Sequence, residues 1–459
     1  MLNKFLKTKI PTAKKLVKEL RKTYDYVSIL GSFVKMKRIL VGTANCNIDD
    51  IDSECGFVIK VYKNGRYSEY SCDDITGLKA SDVIKAVNLK KAFTTKFNVK
   101  MLEEKEHVED FLREDKHPLT DEEIVKRFTY IKNKMHENPK VINTNCFYIK
   151  RQNSKIFVSE KKCLTQKYDW INAGMIVVTR DKDNIKENFH AEGEASSLKA
   201  LELLKKNSKD VLDIAVRLLD AKPIKPGKYT IITDPSISGL IAHEAFGHGV
   251  EMDMFVKNRA KAKDYVGKYV ASPILDMYDG AAGVVSAASY FFDDDGIEAH
   301  KTQIIKKGIL QTGISDSLSA LTLGTTPTGN GRRESYKRKV YTRMTNTYFG
   351  KGKDKLEDMV KSVKHGYFLY QTNNGMEDPK NWQIQCTASY GLEIKDGKFT
   401  GKIVTPVIIS GYVIDLLKSI SMVSDKVTVL GSGMCGKGHK EYVYVSDGGP
   451  YLKAEAKLG

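Results

Sequence analysis

The chain has 459 residues, too many for one ordinary domain, so two or three domains are expected. With 41% hydrophobic and 29% charged residues, and no run of eighteen apolar ones, it reads as a globular protein with a sizeable core and no membrane span. The net charge of +17 invites a nucleic-acid reading, but the lysines are interspersed with acids, as in "LEEKEHVEDFLREDKH" (102–117), and no Arg-rich tract or zinc-finger spacing is present, which argues against nucleic acid as a partner.

The first stretch, "MLNKFLKTKIPTAKKLVKELRKTY", is basic throughout and lacks the apolar run of a secretion signal. Leu16, Val17 and Leu20 follow helical spacing after Pro11, which predicts a surface helix. "SDVIKAVNLKKAF" (81–93) reads as a helix capped at Ser81. "TDEEIVKRFTYIKNKM" (120–135) opens with a capping box, Thr120 to Glu123, ahead of Ile124, Phe128 and Ile131. Between 140 and 180, "KVINTNCFYIKRQNSKIFVSE" and "AGMIVVTR" read as strands, with "RQNSK" (151–155) as a hairpin turn. A longer helix is predicted over 196–221. Pro223, Pro226 and Gly227 then interrupt the chain and set the predicted boundary between domains of residues 1–222 and 223–459.

The second half carries one clear helix signal and many short β-rich segments with Gly and Asp-Gly turns, Asp396–Gly397 being a hairpin candidate. The predicted class is α+β: an α/β N-terminal domain and a mostly antiparallel, β-rich C-terminal domain that carries the helix. Cys46, Cys55, Cys72, Cys146, Cys163, Cys386 and Cys435 form no C-x-x-C pair, and an odd, scattered set predicts reduced thiols in a cytoplasmic protein.

The helix is "TDPSISGLIAHEAFGHGVE" (233–251), with Asp234 as its cap and Pro235 in the first helical position. Two histidines with a glutamate after the first point to a metal that activates water, with Glu244 as general base. In an ideal α-helix, however, His243 and His248 would diverge by roughly 140°. Two local distortions repair this: a π-bulge, or a left-handed end at Gly247 that swings His248 back. Zinc suits imidazole, but a catalytic zinc needs a third protein ligand. Glu251, Asp253, His439 and Cys435 are candidates, the last two in the glycine-dense "LGSGMCGKGHK" (430–440).

Asp293, Asp294 and Asp295, followed by Gly296, are expected to form a turn rather than a cation site. Arg332 and Arg333 read either as binders of a peptide carboxylate or as a solvated face.

Four segments in order resemble the TldD/PmbA (TldD/TldE) family of metalloproteases: "GKYTIITDPSISGLIAHEAFGHGVEMD", "SYFFDDDGIEAHKTQIIKKGILQTGI", "TGNGRRESYKRKVYTRMTNTYF" and "MCGKGHKEYVYVSDGGPYL". With the H-E-x-x-x-H motif intact, the chain resembles the catalytic, TldD-like class. That resemblance implies Zn2+ held by His243, His248 and Cys435, with Glu244 as catalytic base. It also implies hydrolysis of unfolded or small peptides, including modified precursors, in a site enclosed by a homodimer or by a heterodimer with a homologue lacking the zinc motif. The alternative is a non-catalytic peptide-binding partner subunit with a structural or empty metal site.

His439 stands where many members have Gln, as a fourth ligand, an oxyanion stabiliser or a bystander. "RMTNTY" (343–348), with Arg343, Asn346 and Tyr348, is expected either to shape the substrate cleft and offer donors or to form a structural turn.

Overall fold

A computed structural model describes residues 2–87, 104–438 and 440–459. Among them, the chain first forms α1 (Lys4–Leu20), β1 (Tyr26–Gly42), β2 (Cys46–Lys63), β3 (Arg66–Cys72), α2 (Ala80–Ala86), β4 (His107–Arg113), α3 (Asp121–His136), β5 (Val141–Val158), β6 (Lys162–Asp181), β7 (Asn184–Glu194) and α4 (Ser197–Leu218). The strands make one sheet in the order β3-β2-β1-β5-β6, with β4 parallel to the first part of β6 and β7 antiparallel to the rest.

Because side chains alternate across a strand, each long strand serves two partners. On one face Ile29, Ile39, Cys146, Tyr148, Ile156, Ala173 and Met175 meet the helices. The α1 contacts are Leu6, Ala13, Leu16, Val17 and Leu20, and those of α3 are Ile124, Phe128, Ile131 and Met135. The capping box at Thr120 and Glu123 is formed. Helix α1 starts at Lys4, with Pro11 inside it rather than before it, and one face of the expected surface helix, Leu6, Ala13, Leu16, Val17 and Leu20, is core. The latter part of the helix predicted over 81–93 lies outside the described residues.

The opposite face meets the second half of the chain. Here the reading of "RQNSK" as a turn is corrected: β5 runs straight through 151–155, paired with β1 on one side and β6 on the other. The reversal comes at Ser159, whose N–H bonds to the Lys162 carbonyl. Polar residues stand mid-strand because they face a polar interface. Lys60 Nζ lies 2.8 Å from Asp295 Oδ1, Lys155 pairs with Asp294, and Gln166 bonds the backbone of Phe291 and Phe292. Arg333 grips Glu69 through two bonds of 2.6 and 2.9 Å.

From 227 onward, β8 (Gly227–Thr233), His365–Asp378, Gln383–Lys395, Val407–Tyr412 and Leu452–Leu458 close a ring of pairings. Asp396 and Gly397 turn its hairpin with φ of 46° and 74°, as the sequence predicted. A second sheet runs Ile309–Leu310, Thr302–Lys306, Met277–Asp279, Asn346–Phe349, Val443–Gly449, Thr428–Cys435. The pairings are not all antiparallel, since β8 runs parallel to His365–Asp378, and Asn346–Phe349 parallel to Val443–Gly449. Short helices the sequence did not announce lie at Met252–Val256, Ser317–Leu323, Leu356–Lys361 and Val413–Lys418. The whole is a two-domain α+β fold, and the helix α5 (Pro235–Ile241) packs through Ile237, Leu240 and Ile241 into the core of the second half.

The Lys60–Asp295 pair is buried on both sides, so removing the cation alone strands a carboxylate in a low-dielectric interior. Lys60→Met is expected to lower stability by about 3 kcal/mol in denaturant unfolding. Lys134→Met, at the exposed pair with Glu137, should leave the midpoint unchanged.

Candidate metal centre

Asp234 starts the helix as expected, its Oδ1 accepting the Ile237 N–H at 2.8 Å with Pro235 in the first turn. Its Oδ2 accepts the Gln371 N–H at 3.1 Å and so ties the helix start to the neighbouring strand. Midway, a Cβ on Gly239 would lie 2.4 Å from the Gly448 nitrogen, so the crossing of α5 over Val443–Gly449 leaves no room for a side chain.

Past Ile241 the helix widens into a π turn, Ala242–Gly247, and ends in a 3-10 turn, His248–Val250. The His248 N–H bonds the carbonyl of His243, five residues back. That bond cancels the divergence an α-helix would impose: the two rings sit 5.1 Å apart with planes at 89°. Gly247 keeps a right-handed φ of −63°, so the left-handed ending is not used. Its lack of a side chain serves packing instead, because a Cβ there would lie 2.1 Å from Met344 Sδ.

Cys435 ends the strand Thr428–Cys435, with Sγ 3.4 Å from His248 Nε2. The donor atoms of His243, His248 and Cys435 all lie within 4.8 Å of one another. A tetrahedral zinc, with bonds of about 2.3 Å to sulfur and about 2.1 Å to nitrogen, separates such a pair by about 3.6 Å. His243 Nδ1 is buried and without a hydrogen-bond partner among the described residues, the kind of deficit a bound cation removes. Two imidazoles and a thiol are a donor set that fits zinc.

Electrostatics point the same way. Burial opposes ionisation of Cys435, but the charges of His243 and His248 and their hydrogen bonds outweigh it and hold the thiol down at about 4. Burial likewise works against protonated imidazoles, yet Cys435 raises His243, and Cys435 with Glu251 raises His248 well above the usual range. A thiol held down in this way favours the anionic form that a divalent cation binds.

Glu244 follows His243 within the π turn and is largely buried. No described residue donates a hydrogen bond to its carboxylate. The other ligand candidates are used elsewhere. Glu251 faces His248 Nδ1, Lys437 and Arg343, and Asp253 takes two bonds from Lys437 at 2.8 and 2.9 Å. His439 lies outside the described residues.

Arg343, Asn346 and Tyr348 are buried rather than presented to a cleft. Arg343 donates to the carbonyls of Cys435 (2.8 Å) and Glu441, and Asn346 Nδ2 to the Gly280 carbonyl and Ser289 Oγ at 3.0 Å. The Tyr348 ring stacks on Tyr278. Neither reading of the arginine pair holds: Arg333 is committed to Glu69, and Arg332 to the Met344 carbonyl at 2.6 Å. Of the three aspartates, Asp293 does build a turn, accepting the N–H groups of Asp295 and Ile297 at 2.9 Å, while its neighbours pair with lysines of the first sheet.

Two acids near the centre had no signal in the sequence. Glu377, on a ring strand beside Gly249, has both oxygens buried without partners among the described residues, and burial pushes its carboxyl well up. Asp447, facing His243 from Val443–Gly449, is pushed up to about 6 by burial.

The profile of the PmbA/TldA metallopeptidase C-terminal domain matches residues 226–456, just over half of the chain. The chain is 34% identical over 252 residues to a protein of Buchnera aphidicola (Acyrthosiphon pisum) named metalloprotease TldD homolog, covering 54% of this chain and 51% of that one. It is 31% identical over 233 residues to the zinc metalloprotease TldD homolog of Saccharolobus solfataricus, covering 50% and 51%. The chain thus spans about half the length of these curated relatives. In fold it is similar to a putative modulator of a DNA gyrase from Thermotoga maritima, with a TM-score of 0.77 at 17% identity over 97% of this chain and 98% of that one. TldE from Thermococcus kodakarensis gives 0.72 at 18%, over 97% and 99%. With its C-terminal half matched by the family profile, the chain belongs to the TldD/PmbA family of metallopeptidases.

Proposed function

We propose that the chain is a zinc-dependent peptidase that cleaves peptide bonds in unfolded or small peptides, modified precursors among them, with His243, His248 and Cys435 as zinc ligands and Glu244 as general base. The observation that carries this reading is the convergence of two imidazoles and one thiol from opposite ends of the C-terminal half. Three protein ligands leave one coordination position for chemistry, as catalytic zinc sites do. When bound, zinc would supply a Lewis acid that polarises a peptide carbonyl and acidifies water.

Glu244 would accept the proton of the attacking water and return it to the leaving amine. Its carboxylate, one residue from a ligand and free of hydrogen bonds from described residues, suits that task. Cys435, its thiol held down at about 4 by the two imidazoles, would be ready to bind as the thiolate. Flexible substrates suit a centre this enclosed, because a peptide bond must be threaded to His243 and Glu244, both largely buried. Pairing with a second copy, or with a homologue lacking the motif, belongs to the same proposal and is supported by the fold shared with TldE.

Glu244→Gln is expected to keep its zinc while cleavage of an unfolded polypeptide falls about 100-fold or more. Full activity in that variant at unchanged zinc content would remove Glu244 from the chemistry. Zinc without turnover in the parent chain would favour a non-catalytic partner subunit.

A second outcome follows from the thiolate. In metal-free protein, the ultraviolet thiolate absorbance lost in Cys435→Ser should persist in the parent from neutral pH downward. It should vanish only as pH falls through about 4, because a depressed thiol pKa keeps the anion above that value. Cys55 and Cys72, raised to about 11 by burial, would contribute nothing in that window.

A further inference from the structure

Glu251 lies three residues past His248 and is 1% exposed, yet the peptidase reading gives it no part. Its Oε2 faces His248 Nδ1 at 3.6 Å and the Lys437 ammonium at 3.0 Å, and its Oε1 faces Arg343 Nε at 3.5 Å. Both cations lead to the other ligand. Lys437 stands two residues past Cys435 and also bonds Asp253 and, at 3.4 Å, the Thr342 carbonyl. Arg343 donates to the carbonyls of Cys435 and Glu441. The segment bearing the thiol is therefore held at the Cys435 carbonyl, the Lys437 side chain and the Glu441 carbonyl, and two of the groups that hold it are anchored on Glu251.

We propose that Glu251 is a positioning residue that sets the metal ligands at both ends of the C-terminal half at once. It orients His248 by facing Nδ1, and it orients Cys435 through Lys437 and Arg343. The inference rests on the metal-centre reading above. Carboxylates that face the distal nitrogen of a ligating histidine fix its tautomer and ring plane. Here Nδ1 faces Glu251 Oε2 at 3.6 Å, which leaves Nε2, the atom 3.4 Å from Cys435 Sγ, to bind the ion. Glu251 is not a ligand itself, since its oxygens face two cations and the distal imidazole nitrogen. Charge balance makes the arrangement self-consistent, with Glu251 and Asp253 against Lys437 and Arg343 in a buried cluster.

The test uses the full chain stripped of metal and titrated with Co2+ against a chromophoric chelator, with the melting temperature of each metal-free variant as a fold control. Glu251→Gln is expected to weaken Co2+ binding about 10- to 100-fold and to alter the thiolate-to-cobalt charge-transfer band. Lys437→Met should weaken it too, and the double variant should lose less than the two single losses combined, because both act along one chain of contacts.

Glu251→Asp keeps the charge between the two cations but withdraws it from Nδ1, so it should retain the parent melting temperature with an intermediate affinity. This variant decides the matter should Glu251→Gln melt early. Affinity within about twofold of the parent and an unchanged band, in Glu251→Gln or Glu251→Asp, would overturn the inference and leave the metal centre standing. A parent chain that binds no Co2+ would overturn both.

Discussion

One backbone hydrogen bond, from the N–H of His248 to the carbonyl of His243, decides whether the two imidazoles share a face. With an ordinary helical bond they would point away from each other, and Cys435 could meet only one of them. The wider turn survives because its surroundings are shaped for it. Met344 occupies the space a Gly247 side chain would take, Gly448 crowds Gly239, and every residue from Ala242 to Gly247 is buried. A local irregularity of this kind is uncommon unless packing over-determines it, and here both the helix start at Asp234 and the strand Val443–Gly449 bear on it.

The first domain bears on the same centre from a distance. Its sheet presents Lys60 and Lys155 to Asp295 and Asp294, and Asp293 and Asp294 accept the N–H groups of Gly331 and Arg333 at 2.8 Å. Asn330, next in line, bonds the backbone of Arg343, which in turn holds Cys435 and faces Glu251. This run of buried polar contacts links the outer sheet to the thiol. Charged residues that look like surface in the sequence are therefore interior, and their cost of burial is offset by pairing across the domain contact.

Much was legible from local rules. The caps at Thr120 and Asp234, the hairpin at Asp396–Gly397 and the interruption between the long helix and β8 each rest on chemistry within a few residues, so sequence alone could place them, whereas the cap expected at Ser81 falls at Lys79. The H-E-x-x-x-H spacing also demanded a non-α backbone, and one of its two solutions is the one adopted. Readings failed where a distant partner sets the outcome. Residues 151–155 carry turn-like composition but extend, because two long strands and a charged domain face claim them. Arg332, Arg333, Arg343 and Asn346 have the donors of a binding surface and use them internally.

By itself, then, the amino-acid order determined the α+β class, the capped helix with its histidine pair, and the small set of groups from which a metal centre could be drawn. Only the tertiary structure decided which candidate joins the two histidines. Cys435 Sγ comes to lie beside both imidazoles, whereas Glu251 is faced by Lys437 and Arg343 and Asp253 by Lys437, partners far from the two acids along the chain. Short-range patterns specify backbone, whereas the role of a buried charge is set by whichever opposite charge the fold brings against it.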